Sequence, residues 1–314
     1  MRGFRFVIAI LSACLAPWAS AWAQVGLQVP PVSRAFDVQL FHPAVGPRGY
    51  ITLDSADVPG HRQFNVGLLT NYQYGALALD STMAGVTRKA DVVRHQTMAE
   101  LYGAVGLFNL FEVGLAVPMT LRLSGDDFDD TGATTGGTMT AKGIGDVRVE
   151  AKVAPFAFGQ DQAFVLGLSV GMTLPTAVDD AFMGHDSVTG RGRVFLEYQP
   201  SDRFRTVIML GGALRKRARL FEAGLGNQIL YGAAADVRVL KDMSVLAEVN
   251  GRVGSFTYAD ANPIEADLAM RAYLPAMFSL LMGVGVGMNH GIGAPMVRGF
   301  LGVGWAPDFR DQDR

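Results

Sequence analysis

Residues 146–153 read DVRVEAKV, in which Asp146, Arg148, Glu150 and Lys152 alternate with Val147, Val149, Ala151 and Val153. Successive side chains of a strand point to opposite faces, so this stretch carries one face of charge and one of hydrocarbon. A slip of one residue exchanges the two faces completely, so the facing is fixed. The simplest setting for such a strand is a soluble sheet, with its oily face on a core and its charges in water.

The same alternation recurs along the chain. In 263–273, Ile264, Ala266, Leu268, Met270 and Ala272 oppose Glu265, Asp267 and Arg271. In 244–253, Ala247, Val249 and Gly251 oppose Glu248, Asn250 and Arg252. In 111–123, Val113, Leu115, Val117, Met119 and Leu121 oppose Glu112 and Arg122. In 278–288, Leu280, Met282, Val284, Val286 and Met288 oppose Gly283, Gly285 and Gly287. Twelve such segments run over 64–74, 95–107, 111–123, 145–158, 163–174, 191–200, 204–214, 227–240, 243–253, 263–273, 278–290 and 296–306. Each is close to the ~9–11 residues with which a tilted strand crosses a bilayer, or slightly longer.

Composition sharpens the choice of setting. Hydrophobic residues make up 49% of the chain and charged residues 18%, which is oily for a soluble protein. Yet after residue 23 no apolar run approaches the ~20 residues of a spanning helix. The formal net charge of −2 gives no reason to expect a nucleic-acid partner. The start of the chain reads as a secretory signal peptide: Arg2 and Arg5, an apolar run from Phe6 to Pro17, then Ala21-Trp22-Ala23 before Gln24. A competing reading makes Leu11 to Cys14 a lipoprotein box with Cys14 acylated. Under cleavage after residue 23, the single cysteine leaves with the signal, and the mature chain has no thiol or disulfide.

An exported, oily chain without spanning helices points to an all-β fold, a closed antiparallel transmembrane β-barrel of about twelve strands. Connections at 109, 159–162, 201–202, 241–242 and 274–277 are short, the pattern of periplasmic turns. Those at 75–94, 124–144, 175–190, 215–226 and 254–262 are longer and read as extracellular loops, with a short last one at 291–295. Aromatic residues gather near the strand ends at Phe108, Phe111, Tyr198, Phe204, Tyr273, Phe278 and Trp305, as in a membrane-interface girdle. The expected organisation is a signal peptide at 1–23, a pre-barrel segment at 24–62, the barrel at 63–306 and an acidic tail at 307–314. A soluble periplasmic or secreted β protein is the competing reading.

In a membrane barrel the oily face meets lipid and the charged face meets the lumen. The candidate lumen charges are Glu100, Glu112, Arg122, Asp146, Arg148, Glu150, Lys152, Arg193, Glu197, Asp236, Arg238, Glu248, Arg252, Glu265, Asp267, Arg271 and Arg298. Both signs are mixed, which leaves two readings open. One is an ion-paired network that rigidifies and occludes the barrel; the other is a narrow polar pore for small solutes. The pre-barrel segment contains Pro30, Pro31, Pro43, Pro47 and Pro59, which argues against regular strands. It is expected either to lie across the periplasmic mouth or to enter the lumen as a plug.

The remaining motifs are weaker. Asp126, Asp127, Asp129 and Asp130 are candidates for binding divalent cations at the surface, but they lack the spacing and glycine of a calcium loop and read rather as a solvated acidic loop. Residues 215–219 (RKRAR) are candidates for contact with lipopolysaccharide phosphates or a plain charged loop end. His42, His61, His95, His185 and His290 show no i,i+2 or i,i+4 pairing, so no metal site is expected. A barrel hydrolase would need a site such as His185-Asp186 facing Asp126 or Asp127, or a serine beside His95 or His290; no motif surrounds them, and no enzyme activity or cofactor is expected. The glycines of 283–287 are not a phosphate loop, because no helix follows.

Two stretches carry a resemblance. Residues 36–74, FDVQLFHPAVGPRGYITLDSADVPGHRQFNVGLLTNYQY, resemble the opening of OmpA-family outer-membrane barrels. The end, RGFLGVGWAPDFRDQDR, looks like a last barrel strand followed by the first step of acidic thrombospondin type-3-like repeats at Asp311 and Asp313. Arg298, Val303 and Trp305 resemble a barrel-assembly signal, with Gly299 one place off the usual pattern. The repeats and the peptidoglycan-binding domain of that family do not follow in this sequence, so peptidoglycan anchoring is not carried over. The function expected from all this is an outer-membrane barrel, structural or weakly pore-forming. A solute channel and a surface barrel that binds through its loops are the alternatives. The expected partners are outer-membrane lipid and lipopolysaccharide, the barrel-assembly machinery and a small solute.

Overall fold

The computed structural model describes residues 34–46, 48–83, 86–128, 134–178, 181–220 and 223–306. The signal segment with Cys14, residues 24–33, Pro47, Asp129, Asp130 and the tail with Asp311 and Asp313 lie outside the described residues.

Twelve strands form the wall. They are β1 (Phe64–Met83), β2 (Val86–Leu107), β3 (Phe111–Phe128), β4 (Thr134–Ile144, continued by Val147–Phe158), β5 (Phe164–Leu174) and β6 (Thr189–Ser201). Then follow β7 (Phe204–Leu214), β8 (Gln228–Leu240), β9 (Met243–Val253), β10 (Ile264–Tyr273), β11 (Phe278–Gly287) and β12 (Val297–Trp305). Each strand pairs antiparallel with its chain neighbours, and β12 pairs with β1 from Val66↔Trp305 to Tyr74↔Val297. That last ladder closes the sheet into a cylinder, so along these rungs neither β1 nor β12 keeps an open edge.

The facing of the side chains follows the alternation. On β10, Leu268 is 55% exposed on the outside while Asp267, one residue away, is 4% exposed inside. Val113, Leu115, Met282, Val284, Val286, Leu301 and Val303 are likewise exposed outward. At the short-turn end, Phe64 packs edge-on against Trp305 at 5.6 Å, and Phe164 stacks on Tyr198 at 4.5 Å.

Two differences from the sequence reading concern boundaries. The sequence pattern places loops at 75–94 and 124–144; in the structure β1, β2, β3 and β4 extend through most of them. Period two fails there because bulges shift the register between Tyr74 and Leu79, and again between Thr120 and Phe128. The strand expected at 145–158 is the lower half of β4. Its upper half pairs with β3 from Met119↔Ile144, and its lower half from Ala116↔Arg148. The break faces Pro118, which has no N–H to give; the Gly145 N–H reaches the Pro118 carbonyl at 2.9 Å.

The interior is filled, and part of the filling is apolar. At the outer end Phe36, Val38, Leu77, Val92, Leu123, Phe128, Phe182, Met183, Leu220 and Leu225 form one cluster. Its Leu220 and Leu225 come from two short strands, Ala218–Leu220 and Ala223–Leu225, which pair antiparallel with each other. Inward rings of Tyr102 and Phe300 lie over Gly67 and Gly283, where an added Cβ would come within 2.4 Å of a ring carbon. The lumen glycines thus make room for inward aromatics.

Candidate functional site: the filled lumen

Residues 34–62 enter the barrel with almost no regular structure. An irregular chain brings backbone N–H and C=O groups that have no ladder to join, and each must find a partner when buried. The wall charges are those partners. The Glu248 carboxylate accepts the N–H groups of Ile51 at 2.9 Å and Thr52 at 3.0 Å, and also the Thr52 hydroxyl. Arg271 donates to the carbonyls of Gly49 at 2.5 Å and Tyr50 at 2.8 Å. Arg205 donates to the Arg48 carbonyl at 2.7 Å, Lys152 to the Asp57 carbonyl at 2.7 Å and Arg252 to the Leu40 carbonyl at 3.2 Å. Glu197 accepts the Ala56 N–H at 3.0 Å, and the Asn65 amide donates to the Val45 carbonyl at 2.9 Å.

The charges also pair with one another across strands. Arg148 bridges Glu100 and Glu150, and Glu150 in turn takes Arg191 and Arg193. Arg193 continues to Asp54 of the inner segment at 2.9 Å. Lys152 meets Glu112 at 3.0 Å, and Arg205 meets Asp236 at 2.8 Å. Arg271 lies 3.8 Å from the same Asp236. Arg298, 0% exposed, grips Glu265 through Nε at 2.5 Å and reaches Gln39 and Asn71 at 3.2 and 2.9 Å. Its guanidinium also stacks over the Phe41 ring at 4.6 Å. Among the described residues, Asp267 has a single hydrogen-bond partner, the Asn250 amide at 3.4 Å.

The structure therefore brings together in one interior Glu100, Glu112, Arg148, Glu150, Lys152, Arg193, Glu197, Asp236, Glu248, Arg252, Glu265, Asp267, Arg271 and Arg298. Arg238 is half-buried at the short-turn end, with its guanidinium 5.8 Å from the Tyr273 ring. Asp146 is buried in the gap of β4, where it accepts the N–H groups of Thr176, Ala177 and His185 at 3.1, 3.0 and 2.6 Å. Arg122 is a correction: it is exposed on the outside. Thr97 pairs with Arg122 but Met98 pairs with Thr120, so Leu121 is an extra residue. From there Leu123, not Arg122, points inward.

Several interior groups escaped the sequence reading. Arg191 and Arg205 follow from the phase of their strands, since Val194 and Ile208 are outward. Asp37, Asp54 and Asp57 sit on the inner segment, where no periodicity announces a facing.

The other motifs resolve separately. His42 bridges Asp37 and Glu100 at 3.5 and 3.0 Å. His185 Nδ1 accepts the Asp37 N–H at 3.3 Å. It does not face Asp126 or Asp127, which are held by Arg94 and Arg34. Burial pushes the His185 ring down to about 4, helped by Arg215 and Arg252 and opposed by Asp37. In 215–219, Arg215 bonds the Gly226 carbonyl and Lys216 pairs with Asp186 at 2.5 Å. Among the described residues no group of three or more His, Cys, Asp or Glu is placed to hold a metal ion. Among the described residues, one hollow of about 40 Å³ lies between the inner segment and β1, β11 and β12, and another of about 10 Å³ lies beside Arg48 and Arg238. Volumes of this size hold a few waters and no larger solute.

No protein-family model and no curated protein sequence matches the chain. Its fold is similar to that of solved barrels. An outer membrane channel from Pseudomonas putida F1 matches with a TM-score of 0.58 at 13% identity, covering 80% of this chain and 98% of that one. The NanC porin matches with a TM-score of 0.50 at 10% identity, covering 76% of this chain and 98% of that one. At such identities the likeness is one of fold: a closed, antiparallel, twelve-stranded barrel.

Proposed function

We propose that the protein is an outer-membrane β-barrel whose lumen is closed at rest by its own segment 34–62, structural or weakly pore-forming in that state. The observation that carries this is the Glu248 and Arg271 pair of clamps on the backbone of residues 49–52. Charges spent on holding an internal chain do not line an open path. The outward belt of Leu268, Val284 and Val286 supports the lipid setting, since each would otherwise stand in water. The export signal and kinship with OmpA-family barrels, carried by the two ends of the sequence, belong to the same proposal.

A channel is the second reading, favoured by what the fold neighbours are: an outer membrane channel and a porin. In that reading the inner segment is the gate, and passage needs its clamps released. Planar-bilayer recording separates the two. The intact protein is expected to show no stable single-channel steps, and deletion of residues 34–62 to produce them. Full stepwise conductance of the intact protein would overturn closure at rest. Silence of a deletion variant that still folds would leave the structural role standing against the gate.

A further inference from the structure

The extra residue at Leu121 does more than turn one arginine. It sets Arg122 on the outer surface of β3 beside Lys142 of β4. There the pairing runs Thr120↔Gly143 and then Leu123↔Ala141, which leaves Lys142 opposite Leu121 and Arg122. Met139 and Ala141 are buried inward, so Lys142 is outward by alternation, and it is exposed. Neither cationic side chain has an ion pair or hydrogen bond among the described residues. The acids above them are engaged elsewhere: Asp126 and Asp91 both lie against Arg94, at 3.1 and 3.4 Å.

Height and neighbours say what these two cations face. Arg122 stands eleven residues along β3 from Phe111 of the lower aromatic ring, one of them taken up by the bulge. For a tilted strand that is a rise of about 25 Å, the height of the apolar band of an outer-membrane barrel. Directly beneath them Leu121 and Ile144 are 54% and 45% exposed, on the same outward face. On the neighbouring strands Arg122 shares a rung with Thr97 and Tyr72, and the Tyr72 hydroxyl meets His95 at 2.8 Å, a polar-tipped aromatic pair of the kind found at a membrane interface. Two unpaired cations thus sit on top of a greasy stripe, at the boundary of lipid and water.

We infer that Arg122 and Lys142 form a site for the phosphate of an outer-leaflet glycolipid, with its acyl chains against Leu121 and Ile144. Arg offers a planar fork to phosphate oxygens and Lys a point charge, a complementary pair for one phosphoryl group. The inference rests on the membrane setting proposed above.

The test uses the full-length purified barrel in detergent and in phosphatidylcholine vesicles, as wild type and as Arg122→Gln with Lys142→Gln. Native mass spectrometry reads lipid retained after addition of bis-phosphorylated lipid A, dephosphorylated lipid A, or bis-phosphorylated lipid A with inorganic phosphate as competitor. The wild type is expected to retain the phosphorylated lipid about tenfold better than the double variant, as befits two partly screened charge contacts. Dephosphorylated lipid A is expected to be held equally weakly by both, and inorganic phosphate not to displace the lipid. Equal retention of the two lipids by the wild type alone overturns the site, whatever the variant does. Displacement by inorganic phosphate overturns the lipid source and makes this a soluble-anion patch. Failure of the wild type to insert into vesicles strikes the membrane setting instead, which keeps the two failures apart.

Discussion

Arg298 shows how much one interior side chain holds. It is wholly buried, bonds Glu265 from the wall and Gln39 from the inner segment, and stacks on Phe41. Replacing it with methionine strands the Glu265 carboxylate without its partner. The expected loss is about 3–5 kcal/mol, read as a shift of the urea unfolding midpoint in vesicles. Because an unpaired charge is the main penalty, adding Glu265→Leu is expected to restore most of the loss; no restoration would mean that the stacking on Phe41 dominates. His185 supplies a prediction in pH. Its ring stays neutral in the folded barrel down to about 4, whereas the unfolded chain binds a proton near pH 6.5. The unfolded state therefore gains protons first. The stability tied to neutral His185 is fully present above pH 6.5 and is lost as the pH falls through 4. His185→Asn is expected to flatten that part of the stability profile, and an unchanged profile would rule His185 out.

At the scale of the strand, facing is a matter of phase. On β10, Leu268 is outside and Asp267 inside. Arginine in place of Leu268 is expected to cost about 2–4 kcal/mol if this is the bilayer midplane, and much less if the barrel were in water. Comparing refolding into vesicles with that of Leu274→Arg, at the strand end, reads the depth dependence directly. Phase is also where sequence reasoning failed. The alternation in 146–153 is unbroken and its facing was legible from eight residues. On β3 one inserted residue inverts the pattern after Thr120 without any signal in composition, so strict alternation puts Arg122 in the lumen where the structure has it outside. The upper parts of β1 and β2 were hidden by bulges of the same kind.

For the molecule as a whole, wall and inner segment depend on each other. Removing residues 34–62 takes partners from Glu248, Arg271, Arg205, Lys152 and Arg193 at once. The deleted barrel is expected to unfold at a lower temperature than the intact one, seen as an earlier loss of heat-modifiable gel mobility. Unchanged mobility would show that the wall charges satisfy each other without the segment.

What the sequence determined by itself is the wall: strand period, strand number and the sign of each unbulged face, because these depend on neighbours one and two residues away. What only the tertiary structure decided is the content of the lumen. The backbone of 34–62 has no pattern of its own, and its partners are Glu248, Arg271 and Arg205, which lie some 150 to 220 residues further along the chain. Such pairings exist only once the cylinder has closed and brought those strands to face one axis.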